Sequence, residues 1–298
     1  MALTHHKSVS KFFEDAAKHL AHAKKSARVE TCEDDLSNYL GTTGPINAPA
    51  FLALARLGHL HGAAAVVAYD EEDLNELSNA LQHTLCYKAL DLRLQQALSA
   101  TIPDKPDNRP TEFEDGLNAA LPFALSRWPL AENCARAYLW LADKDQRLRS
   151  PETRRMSNGT TDAFLVYLFS DALDLPTSYK PEEMLEDCYR ALLDNWRTDD
   201  KARFQEAMAD AIDFHIRRSK PSTDHVNFEF GYLFEQVFAV ELLAVMALRK
   251  RLDLPGFHAN HAFVDGPWEV IQRLPPAAPY PLAEALEARF KKDYATFN

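Results

Sequence analysis

FLALARLGHLHGAAAVVAY, residues 51–69, is nearly all apolar, and DEEDLNELSNALQHTLCYKALDLRL follows it without a break at residues 70–94. The first segment is apolar on every side, so it reads as a helix enclosed by others rather than one lying on a surface. In the second, Leu74, Leu77, Leu81, Leu85 and Leu92 recur at helical spacing and turn one stripe toward that centre. Its opening acids, Asp70, Glu71, Glu72 and Asp73, stand where a helix N-terminus favours negative charge. The spacing carries this second helix to about Leu98.

Upstream, Phe12, Ala16, Leu20 and Ala23 follow Ser10 at three- and four-residue steps, a first amphipathic helix. A second covers Asp34–Leu40 and stops at Gly41, and TTGPINAP (42–49) is a turn. Downstream, TIPDKPDNRP (101–110) holds three prolines and no periodic apolar positions, and so reads as a linker. It divides an N-terminal helical subdomain, residues 1–100, from a C-terminal one, residues 111–298, within one compact unit. Thr111 and Glu114 form a capping box for a helix that Pro122 kinks or ends, and Pro129 takes the first helical position of the next. Further helices are expected over 161–173, from Pro181 through Trp196, and after the cap at Thr198–Asp200, where Phe204, Met208, Ala211, Ile212 and His215 share a side. Residues 228–252 read as the longest and most apolar helix, ending before Pro255 and Gly256, and the proline-rich RLPPAAPYP leads to a last helix over 282–294. Only 9 glycines in 298 residues, with few β-branched residues in alternation, leave little material for a sheet. The expected fold is all-α, a multi-helix bundle or stack of antiparallel helical hairpins, about ten helices in all. No tetratricopeptide register is present.

With 46% hydrophobic and 26% charged residues, a chain of 298 can bury roughly 75% of its unfolded surface. The net charge of −11 argues against nucleic acid, whose phosphates are met by clustered Lys and Arg, and favours a basic partner. The N-terminus has no continuous apolar stretch of the secretory kind, and the longest apolar run, residues 237–248, is broken by Glu241. The expectation is a soluble, cytoplasmic chain with no membrane partner. Cys32, Cys86, Cys134 and Cys188, about fifty residues apart, suit packed, reduced thiols.

The common nucleotide, hydrolase and zinc-protease signatures are missing, so no cofactor is expected and the enzyme reading is weakened. His59 and His61, two apart on a helix, point to different faces, while His258 and His261 follow a helix stop. Neither pair has an evident third ligand, so no metal is expected. Glu229, Glu235 and Glu241 lie six residues apart, about 240° on a continuous helix, and do not share a face. Glu241, flanked by Phe238, Val240, Leu242 and Leu243, is expected to be buried and paired, with Arg217, Arg218 or Arg249 as candidates. The run Asp70–Asp73 is either a solvated helix start or a patch that steers a basic partner.

The order of features in the last third has a further meaning. Phe204, Ala207 and His215, followed by Arg217 and Arg218, precede EFGYLFEQVFAVELLAVMALRKRLDLP (229–255) and NHAFVDGPWEVIQRLP (260–275). This order, over about residues 190–298, resembles the immunity protein 49 family of bacterial toxin-immunity proteins. Gly231–Glu235 also resembles a helix of the immunity partners of PoNe-type DNase toxins. Either resemblance implies a protein that neutralises a cognate antibacterial toxin, delivered by type VI secretion or another polymorphic-toxin route, by stoichiometric binding rather than catalysis. It marks His215, Arg217, Glu229, Tyr232, Glu235, Glu241, Arg249, His261 and Trp268 as motif residues. Most of these are expected to hold the fold, because a family that meets varied toxins places its contacts on variable surface. Asp70, Glu71, Glu72 and Asp73 are the candidate contact patch. Two alternatives stand beside this: a helical adaptor or chaperone, which needs an exposed apolar groove, and an enzyme that reverses toxin damage, which needs converging titratable groups.

Overall fold

The computed structural model describes residues 6–110, 116–150, 160–182, 184–221, 223 and 228–298. Among the described residues the chain forms thirteen α-helices, one short 3-10 turn and no strand. They run α1 (Ser10–Lys25), α2 (Arg28–Leu40), α3 (Ala48–Asp70), α4 (Leu74–Thr101), α5 (Gly116–Ala124), α6 (Trp128–Arg147) and α7 (Thr161–Leu173). Then come α8 (Asp187–Asn195), α9 (Lys201–Arg218), α10 (Leu233–Val237), α11 (Val240–Arg251), α12 (Ala262–Ile271) and α13 (Pro281–Asp293). The all-α bundle is therefore as expected, with more and shorter helices. The expected capping box at Thr111 and Glu114 lies outside the described residues.

The apolar segment is the centre of the molecule. Asn47 caps α3 by accepting from the Ala50 N–H at 2.9 Å, and α1, α2, α4 and α10 all pack against it. It is the one described helix long and apolar enough to cross a membrane, and here that apolar surface is spent on neighbouring helices. The chain reverses into α4 within three residues. Glu72 is left-handed (φ 57°), the Asp73 N–H reaches back to the Ala68 carbonyl at 3.0 Å, and the Asp73 carboxylate accepts from Asn75 and Glu76. The helix thus starts after Asp73 rather than at Asp70, and Asp70 ends α3.

One large core draws on both sides of residues 101–110, from Phe12, Val66 and Leu81 to Phe123, Phe164, Trp196, Phe204 and Leu243. The proline-rich stretch is tied down: the buried Lys144 ammonium donates to the Ser99 and Ile102 carbonyls at 2.6 and 2.9 Å, closing the C-terminus of α4. A second cluster joins Leu36 and Tyr39 of α2, Leu54 and Leu57 of α3, and Leu90 and Leu94 of α4 to Leu286 and Phe290 of α13. The last helix closes on the first ones.

Four expectations fail, each for a local reason. α2 begins at Arg28, after the left-handed Ala27, so that Cys32 joins Leu36 on the buried side. α8 begins at Asp187 rather than Pro181, because the chain before it is stitched along α6, with Gln146 donating to the Ser178 carbonyl at 3.0 Å and accepting from the Lys180 N–H. No helix is expected from the sequence between Gly256 and the proline-rich stretch, where α12 forms, capped by His261 and by Asp265, whose carboxylate accepts from the Ala259 and His261 N–H groups. The single helix over 228–252 is absent. Residues 228–232 are not helical, and a break at Phe238–Ala239 separates α10 from α11.

No proline or glycine lies at that break; a histidine makes it. The Glu235 carbonyl, which the N–H of residue 239 would take in a continuous helix, accepts instead from His215 Nε2 at 2.9 Å. Gln236 donates to the Phe230 and Gly231 carbonyls and pins the non-helical approach to α10. The short α10 is thereby pressed against α3 at Gly62, where an added Cβ would stand 2.9 Å from the Phe234 Cβ. Alanine in a helix gains roughly 1 kcal/mol over glycine, whereas overpacking a core costs about 1–3 kcal/mol. Because the clash is with a Cβ and not a flexible side-chain end, Gly62→Ala is expected to lose about 1 kcal/mol net in urea unfolding. A gain in stability would show that α10 moves freely over α3.

Candidate functional site

The seating of α10 brings together groups that are far apart in the sequence. On α4, Lys88, Asp91 and Gln95 fall at i, i+3 and i+7, one face of the helix, and that face is covered: they are 6, 4 and 9% exposed. The Lys88 ammonium donates to Asn118 Oδ1 of α5 at 2.8 Å and to Glu235 Oε1 of α10 at 3.3 Å. Gly58 of α3 makes room for the lysine stem, since a Cβ there would approach the Lys88 Cγ to 3.3 Å. These buried polar groups line a cavity of about 150 Å³.

Its mouth is aromatic and apolar. The Tyr232 ring stacks on His59 at 3.8 Å, 23° between planes, and Tyr232 and Leu52 remain 51% and 48% exposed. On the other side of this ring pair is a second cavity of about 290 Å³, bordered by Arg28 and Arg56. Burial, followed by the charges of Lys88 and His19, pushes the His59 imidazole down to about 3, so it is neutral at pH 7. A larger groove of about 540 Å³ runs between α4 and α13, but its buried cation, Arg93, is already matched by Glu287 at 3.2 Å.

Two motif residues, Tyr232 and Glu235, belong to this site. The others do not. Glu241 is fully buried, and its partner is none of the three expected arginines but His215, Nδ1 to Oε1 at 2.7 Å. Arg218 instead pairs with Glu229, while Arg217 lies over the Phe214 ring at 5.9 Å. The buried Arg249 guanidinium donates to the Trp196, Thr198 and Pro255 carbonyls and sits between the rings of Phe204 and Phe257. It holds the chain beyond α8 onto the end of α11. His261 caps α12, and Trp268 is half-buried beside Arg249 and Met246. Asp70, Glu71, Glu72 and Asp73 are exposed at the α3–α4 reversal and outside the cavity, Asp73 serving as the cap.

The two histidine pairs are split between environments. His59 meets Tyr232, whereas His61 stacks on Tyr87 at 5.7 Å and meets His83 edge-on at 4.8 Å. Among the described residues no three His, Cys, Asp or Glu side chains gather as a metal would require. The four cysteines are free thiols, and burial pushes Cys134 up to about 12 and Cys188 to about 11, which leaves them unreactive. Sequence reasoning passed over Lys88, Asp91, Gln95 and Asn118, and weighed His59 only as half of a metal pair. The available signal was that an all-apolar α3 implies neighbours on every side, so the polar face of α4 had little solvent left to meet. No family model matches the chain, and no curated protein or solved structure does either.

Proposed function

We propose that the chain is an immunity protein that acts in the cytoplasm and neutralises a basic protein toxin by forming a stoichiometric complex with it. The observation that carries this reading is the use made of the segment Gly231–Glu235, the part of the motif order shared by both immunity families it resembles. That segment supplies the Tyr232 ring at the mouth of the cavity and the Glu235 carboxylate within it, while His215, Glu229, Glu241 and Arg249 are taken up in internal bonds. An exposed aromatic at the edge of a pocket is where interface hot spots are found. The net charge of −11 supports a basic partner through faster association.

The test is co-expression with the toxin encoded beside its gene. Wild type is expected to rescue growth and to co-purify with the toxin, and Tyr232→Ala to weaken the complex about 30-fold or more, the equivalent of ~2 kcal/mol at a hot spot. Neither rescue nor co-purification would remove the reading. The convergence of Lys88, Asp91 and Glu235 on one cavity favours a second reading, an enzyme that undoes toxin damage. On that reading, protection survives at a small molar fraction of the toxin's target-modifying capacity; on the first, it does not. An adaptor with an apolar groove has less support, since among the described residues the exposed large hydrophobics are Leu52, Ile102, Met184, Tyr232 and Leu252, of which Leu52 and Tyr232 share this cavity.

A further inference from the structure

We infer that the cavity bordered by Arg28 and Arg56 binds a small organic acid, a single carboxylate carried on an apolar or aromatic body. The site stands apart from the binder reading, since its ligand is not a toxin. Three observations lead there. The first is charge. The chain carries 44 acidic residues against 33 basic ones, and its arginines are commonly met by carboxylates, Arg93 by Glu287, Arg109 by Asp145 and Arg218 by Glu229. Arg28 at the start of α2 and Arg56 on α3 are both exposed, and among the described residues neither forms an ion pair and no Asp or Glu lines their cavity. The field inside is positive as well: burial, followed by the charges of Arg28 and His22, holds the His19 imidazole below its ordinary range, and the charges that lower His59 are those of Lys88 and His19. An anion entering here meets cations and no rival.

The second is shape. A volume of about 290 Å³ holds about ten water-sized groups at ~30 Å³ each and lies at the lower end of the roughly 300–1,000 Å³ of small-molecule pockets. The buried Leu60, Ala63 and Phe234 form its floor and the exposed arginines its rim. A bare inorganic anion uses the rim alone, whereas an acid with an apolar body uses both. A guanidinium fork takes a planar carboxylate in two parallel hydrogen bonds, and a carboxylate gives up less hydration than a doubly charged phosphate. The third is that the walls are already in place. The Tyr232 ring stacks on His59 at 3.8 Å, and Gln236 holds the Gly231 carbonyl at 3.3 Å, so binding orders little that is not ordered already.

The experiment is an NMR titration of the full-length protein with 3-phenylpropanoate and, separately, with its amide, which keeps the shape and loses the charge. The acid is expected to give saturable shifts at the Ala63, Gly231 and Leu233 backbone amides with a dissociation constant on the order of 1 mM, as befits so small a ligand. The amide should bind about tenfold more weakly, and so should the acid to Arg28→Gln/Arg56→Gln, whose exposed positions leave the core untouched and whose far-UV spectrum establishes that it is folded. N-acetyl-phenylalanine, which sets the same ring and carboxylate on a chain end, tells the two sources apart: tighter binding than phenylpropanoate assigns the site to the C-terminus of a polypeptide, weaker binding to a free acid. No saturable shift up to about 20 mM, equal binding of the amide, an unchanged affinity in the double variant, or tighter binding of phenyl phosphate overturns the assignment.

Discussion

His215→Leu is expected to destabilise the protein by about 3–5 kcal/mol, the largest loss from any one substitution considered, although His215 touches neither cavity. The ring is fully buried, stacked on Phe230 at 3.6 Å, with Nε2 donating to the Glu235 carbonyl and Nδ1 bonded to Glu241. Because Nε2 carries a proton to reach a carbonyl, the Nδ1–Oε1 bond holds one further proton, shared between ring and carboxyl. The pair is therefore neutral as a whole, which is how it survives in a core. Leucine leaves the Glu241 carboxyl buried without its partner, and Oε2 already has no hydrogen bond. It also frees the Glu235 carbonyl, which invites α10 and α11 to join and pulls Glu235 off Lys88. The double variant His215→Leu/Glu241→Met removes both polar groups and should recover most of the stability, since buried pairs are often replaced by apolar residues at little cost. Urea unfolding of both variants decides this. A single variant within about 1 kcal/mol of wild type would mean the pair is not a strut.

Acid is expected to destabilise the protein as pH falls from about 6.5, before carboxylates begin to protonate. Burial pushes the imidazoles of His59 and His61 down from about 6.5, to about 3 and about 4. In the unfolded chain both take up a proton near pH 6.5, and in the native state neither does until far lower. The unfolded state thus binds more protons throughout this window, and stability falls as pH drops from about 6.5 toward 4. At 1.36 kcal/mol per unit, reduced for partly exposed rings, the two together withdraw roughly 3–5 kcal/mol by pH 4.5. Glu287 adds to the loss at lower pH: burial alone would raise its carboxyl, but Arg93 and Lys291 outweigh it and hold it near 2. Its contribution is present above its unfolded value and disappears as pH falls through 2. The variant His59→Phe/His61→Phe keeps both stacked rings without the protons and should lose most of the slope between pH 7 and 4.5. An unchanged slope would assign acid sensitivity to other groups.

How much of this was legible in the sequence depended on whether a feature was local. The α3–α4 hairpin, the Asp200 cap and the span of α7 follow from periodicity and cap chemistry within a few residues. The break between α10 and α11 is not local: every residue from Leu233 to Arg251 suits a helix, and the decision is made by His215 from another helix. The same non-locality hid the partner of Glu241. An arginine is the usual answer for a buried carboxylate, whereas here a histidine brings a carbonyl bond as well. Lys88, Asp91 and Gln95 escaped notice because the leucine stripe accounts for only one side of α4. That the helix is covered on both sides follows only once α5 and α10 are placed.

Binding without turnover is the property that sets an immunity protein apart from an enzyme. The most direct measurement titrates the purified protein against the toxin encoded beside its gene and follows toxin activity and complex mass together. Inhibition should be complete when the two are equal in number, with a complex of one molecule of each, and should need a large excess of the Tyr232→Ala variant. Full protection at a small fraction of the toxin's molar amount, or inhibition without any lasting complex, would contradict it.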